Sequence, residues 1–90
     1  MPTIERAARE LSDALDVCLR ARDYRVLPRP ARGPILTFLP RRDPAELASA
    51  LHARGASVGL RGGGIRVSPH AHNSFEHIER LLLLLDELDR

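Results

Sequence analysis

The 90 residues carry 14 cationic and 12 acidic side chains, a net charge of +2, and every cation is arginine. So small an excess, with one tyrosine, two phenylalanines and no tryptophan, argues against a nucleic-acid surface built from a basic stripe and stacking aromatics. A lone cysteine, Cys18, excludes an internal disulfide framework and predicts a cytoplasmic setting, with no signal-peptide pattern and no apolar run long enough to span a membrane.

In chain order, the apolar positions Ile4, Ala7, Ala8, Leu11, Leu15, Cys18 and Leu19 recur with helical period, so residues 4–22 read as an amphipathic helix. Cys18 falls on its apolar face, which predicts an inert buried thiol rather than a nucleophile. Tyr24-Arg25-Val26-Leu27 reads as a short strand. The proline-rich stretch that follows can be neither helix nor central strand. Ile35-Leu36-Thr37-Phe38-Leu39 is apolar at nearly every position, which predicts a central strand covered on both faces.

Asp43-Pro44-Ala45-Glu46 combines an N-cap aspartate, a proline at the first helical position and a glutamate two residues on, a strong helix start. Leu47, Ala50 and Leu51 carry that helix to a stop at Gly55. Asn73 or Ser74 caps a last helix in which Ile78, Leu81, Leu82, Leu85 and Leu88 form one stripe with Phe75 at its edge. Leu83 and Leu84 fall outside the stripe and are expected to face solvent or a partner.

Between these helices, Leu60-Arg61-Gly62-Gly63-Gly64-Ile65-Arg66-Val67 reads as two strands around a Gly-Gly turn. With Gly63-Gly64 at the turn, Arg61 faces Arg66 and Leu60 faces Val67. Alternation then sends Leu60, Ile65 and Val67 to one side and both arginines to the other. Directly opposed like charges destabilise a sheet. An anion between the two guanidinium groups relieves them, and a carboxylate fits the arginine fork bidentately. His70, His72 and His77 lack the supporting ligands of a structural metal site and read as surface or loop histidines, as does His52. Ser68 and Ser74 have no nucleophile-elbow spacing around them.

The fold expected from this order is α+β: one domain over residues 1–90, with a small, mainly antiparallel sheet of three to four strands and helices packed on one face.

Four stretches carry a family resemblance: Gly33-Pro34-Ile35-Leu36-Thr37-Phe38, the Asp43-Pro44 helix leading to Arg54-Gly55-Ala56, Leu60-Arg61-Gly62-Gly63, and Ile65-Arg66-Val67-Ser68-Pro69-His70-Ala71-His72-Asn73-Ser74. Together they resemble the C-terminal small domain of class V aminotransferase-like enzymes. These are fold-type I proteins dependent on pyridoxal phosphate (PLP), among them cysteine desulfurases, selenocysteine lyases, kynureninases and isopenicillin N epimerase-like enzymes. The last stretch is similar to the family's Arg-hydrophobic-Ser-Pro-His-x-x-Asn-Thr segment, and the first helix resembles the one that enters this domain.

The resemblance implies that Arg66 holds the α-carboxylate of an amino-acid substrate, with Arg61 as a less constant companion and Asn73 as a helix cap. It also implies what these residues cannot do. The family's Schiff-base lysine and cofactor phosphate site belong to a large domain that has no counterpart here, and the sequence contains no lysine. Cys18 does not match the family's catalytic cysteine. The expected function is therefore a small-domain component that binds no PLP alone, is not catalytic alone, and needs a PLP-binding large-domain partner or an oligomer. The alternative is a non-catalytic module, descended from such a domain, that binds a protein or a small acid. Neither nucleic acid nor membrane is an expected partner.

Overall fold

The computed structural model describes residues 4–29, 34–68 and 74–90. Its elements are α1 (Ile4–Ala21), β1 (Arg25–Val26), β2 (Leu36–Leu39), α2 (Pro44–Ala53), β3 (Gly59–Arg61), β4 (Gly64–Val67) and α3 (Phe75–Leu88). The four strands form one antiparallel sheet in the order β1-β2-β4-β3, and the helices cover one face of it. The α+β fold expected from the sequence is the fold observed. No helix among the described residues is long and apolar enough to cross a membrane.

Local chemistry accounts for the boundaries. The Asp43 side chain accepts from the Glu46 backbone N–H at 3.1 Å, with Pro44 opening the helix, as the sequence signature required. Ser74, rather than Asn73, caps α3 and accepts from the His77 N–H at 3.3 Å. The first helix ends with no glycine: Asp23 adopts φ +65° and lets the Tyr24 N–H bond back to Leu19 O at 3.0 Å. An αL residue of this kind closes many helices, and aspartate tolerates it better than most side chains do.

Alternate residues of the strands, among them Val26, Leu36, Phe38, Ile65 and Val67, are buried together with Leu15 and Leu19 of α1, Leu47 and Leu51 of α2, and Leu81 and Leu85 of α3. Tyr24 packs edge-on against Phe38, ring centroids 5.1 Å apart.

Two expectations fail here. β2 is central, but only Leu36 and Phe38 are buried, while Thr37 and Leu39 on its other face are half-buried. Its apolar character on both sides does not recruit a second layer, because all three helices lie on one face. Leu84 is buried, not exposed, and only Leu83 remains open, at 67%. The reason is that α3 contacts both α1 and α2. A helix flanked on two sides buries a wider arc than one apolar stripe.

Candidate functional site

The sheet face away from the helices carries an open groove of about 450 Å³. Leu27 and Pro28, which continue β1, border it together with Ile35 just before β2. Thr37 lies centrally, and Arg66 on β4 and Arg61 on β3 complete the lining. Polarity thus changes across the groove, whose lining is apolar on the β1–β2 side and cationic on the β4–β3 side. Arg29 also borders the apolar side, but its guanidinium is 2.6 Å from Asp13 and 3.7 Å from Asp16, with only 8% of its side chain exposed. Its charge is already matched.

Both sequence-selected arginines therefore share one face and one groove, as alternation required. Their direct opposition is not observed. Gly62 and Gly63, at φ +57° and +79°, form the turn, so Arg61 pairs with Gly64, Leu60 with Ile65 and Gly59 with Arg66. The arginines are diagonal neighbours, each facing a glycine. Three consecutive glycines permit two turn placements, and Gly64 decides between them. It sits so close to β2 that a Cβ there would come within 2.8 Å of both Phe38 O and Thr37 Cγ2. Only glycine fits that strand position, which leaves Gly62 and Gly63 for the positive-φ turn. The Arg66 guanidinium lies over Gly59, where a Cβ would approach its Nε to 3.2 Å. Glycine opposite each arginine thus replaces a clash of charges with open space.

Most described arginines are committed. Arg22 forms a two-bond pair with Asp86 at 2.9 and 3.2 Å, Arg54 pairs with Glu87 at 3.3 and 3.1 Å, and Arg80 donates to Arg54 O at 2.6 Å. The Arg22 hydrogen bond holds the Asp86 carboxyl below its ordinary range and pushes the Arg22 guanidinium up. Among the described residues, Arg9, Arg25, Arg61 and Arg66 donate to no acceptor, and the last three belong to the strands. No strand contains an aspartate or glutamate. The open face is therefore cationic, with free donors suited to a carboxylate or another small anion.

A second polar cluster has no sequence signature. Asp89, 1% exposed at the C-cap of α3, accepts from Tyr24 Oη at 2.8 Å, the Arg41 N–H at 3.0 Å and the Arg42 N–H at 2.9 Å. Arg41 also lies 4.3 Å above the Tyr24 ring and donates to the carbonyls of Asp89 and Arg22. Burial, reinforced by the bond to Asp89, pushes the Tyr24 hydroxyl far above its ordinary value of 10.0. Every polar group is paired, so this cluster ties the end of α3 to the β1 and β2 termini and offers nothing to a ligand.

Cys18 is partly buried against the core. His52 Nε2 donates to Val58 O, 3.0 Å away in the loop after α2, and His77 is exposed in the first turn of α3. His70, His72 and Asn73 lie outside the described residues. Among the described residues, no group of three metal-ligating side chains converges.

Compared with known proteins, the chain matches no family model and no curated protein.

Proposed function

We propose that this chain is the small-domain component of a PLP-dependent enzyme resembling the class V aminotransferases and cysteine desulfurases. In this reading Arg66, assisted by Arg61, orients the carboxylate of an amino-acid substrate in the cytoplasm. A separate large-domain partner supplies the lysine and the cofactor. The observation that carries the reading is the pair of uncommitted guanidinium groups in one groove on a sheet face that no described element covers. Positioning a reacting molecule by a charge-assisted fork is work a small domain can do without chemistry of its own.

PLP itself does not fit this chain. The groove presents guanidinium groups and no amine, and the sequence has no lysine for a Schiff base. When bound elsewhere, the cofactor supplies an electron sink for the substrate carbanion. The residues here bind and orient.

The test is affinity capture of the tagged chain from its native cells, with the absorbance spectrum of the eluate, followed by turnover of the complex. The reading expects a co-purifying protein with the cofactor's near-ultraviolet or visible band. Arg66→Ala then abolishes turnover while the two proteins still co-purify. A colourless chain, recovered alone or with a cofactor-free partner, rejects it.

One observation favours a second reading, a non-catalytic small-acid-binding module: the groove joins two guanidinium groups, free among the described residues, to the apolar side chains of Leu27, Pro28 and Ile35.

A further inference from the structure

We infer that the groove selects a carboxylic acid carrying an apolar body, its carboxylate held between Arg61 and Arg66 and its hydrocarbon lying over Leu27, Pro28 and Ile35. This rests on the carboxylate reading of the two arginines and adds the other half of the ligand.

The argument is the division of polarity across one concave surface. The cationic side holds two guanidinium groups with no acceptor among the described residues. The apolar side holds Ile35, which is 49% exposed and on the same sheet face as Thr37. Arg29, the one cation among the described residues that lines that side, is neutralised by Asp13 and Asp16, so it offers no competing seat for the acid group. A ligand with both a carboxylate and a hydrocarbon satisfies the two sides at once. A bare small anion leaves Ile35 and Leu27 wetted, and an amine meets two like charges. The groove's volume of about 450 Å³ lies in the range of small-molecule sites. A second copy of the same face is a poor occupant, because its strands carry no carboxylate to meet these arginines.

The experiment is a heteronuclear NMR titration of the full chain, in phosphate- and carboxylate-free buffer at fixed ionic strength. The probes are acetate, butanoate and hexanoate, with hexanol and hexylamine as controls. The expected result is shifts at Leu27, Ile35, Arg61 and Arg66. Affinity should rise about twofold per added methylene, half the roughly fourfold gain of a fully buried one. Arg66→Gln and Arg61→Gln should each weaken hexanoate about tenfold, the loss of a charge-assisted hydrogen bond at a partly exposed site. Ile35→Asn should remove the gain with chain length. Acetate binding as tightly as hexanoate, with sensitivity to both arginines, overturns the apolar half and leaves the carboxylate reading standing. Hexanol binding as tightly as hexanoate overturns the carboxylate reading itself. No binding of any probe overturns the inference, and the composite enzyme site is then judged by the turnover assay on the complex.

Discussion

Removing the Asp89 carboxylate should cost this protein a large share of its stability. The side chain is 1% exposed and accepts three hydrogen bonds, from Tyr24 Oη at 2.8 Å and from the backbone N–H groups of Arg41 and Arg42 at 3.0 and 2.9 Å. Hydrogen bonds to a charged group contribute about 1.5–3 kcal/mol each, and the three are not additive because they share one acceptor. Asp89→Ala also strands two backbone donors and the tyrosine hydroxyl. A loss of about 3–5 kcal/mol follows, the magnitude seen when one partner of a buried charged network is deleted. Against a total of about 0.05–0.15 kcal/mol per residue, that is at least about a fifth of the folding free energy and, at the low end of the range, most of it. Each kcal/mol corresponds to about 4–8 °C in Tm for a chain of this size.

Urea and thermal denaturation followed by far-ultraviolet circular dichroism measure the loss. Tyr24→Phe removes one donor and leaves the carboxylate with two, so about 1–2 kcal/mol is expected. In the double variant the two losses should overlap by about 1 kcal/mol, because the shared bond is counted twice in the single variants. A loss below about 1 kcal/mol for Asp89→Ala, or strict additivity of the pair, would refute the reasoning.

Tyr24 is the only tyrosine and there is no tryptophan, so tyrosinate absorbance reports this one hydroxyl. Its pKa is raised in the folded state by burial and by the Asp89 bond, above the ordinary 10.0. The protonated form therefore stabilises the native chain fully below pH 10, and that stability is lost as pH rises above 10 toward the folded pKa. Absorbance should rise only with unfolding, and Tyr24→Phe should flatten the alkaline loss. Gly64→Ala should destabilise by about 1–3 kcal/mol, more than Ala at the turn position Gly62. The methyl meets Phe38 O and Thr37 Cγ2 at 2.8 Å, whereas nothing lies within 4 Å of a Cβ at Gly62 and only its φ of +57° opposes substitution; denaturant midpoints compare the two. Asp23→Gly should stabilise by about 0.5–1 kcal/mol, because it frees an αL residue of its side chain and removes a negative charge from a helix C-terminus. A lower Tm for that variant counts against the cap described here.

The sequence by itself determined the elements and most of their ends. Helical period, the Asp43-Pro44 start, the stop at Gly55 and a cap at Asn73 or Ser74 depend on contacts within a few residues, so they were readable before any fold was known, while the structure chose Ser74. Alternation likewise placed Arg61 and Arg66 on one face, since a strand's two-residue period is local. Tertiary structure decided what depends on distant neighbours. The hairpin register was set by how closely Gly64 approaches β2, and with it whether two arginines oppose each other or each faces a glycine. The burial of Leu84 was set by α1 and α2 on either side of α3. The clasp of Asp89 joins Tyr24, Arg41 and Arg42 across as many as 65 positions of chain, where no spacing rule operates. The polarity of the groove was decided in the same way: Arg29 looks like any other arginine in the sequence, and only its packing against Asp13 and Asp16 on α1 removes it from the cations facing a ligand.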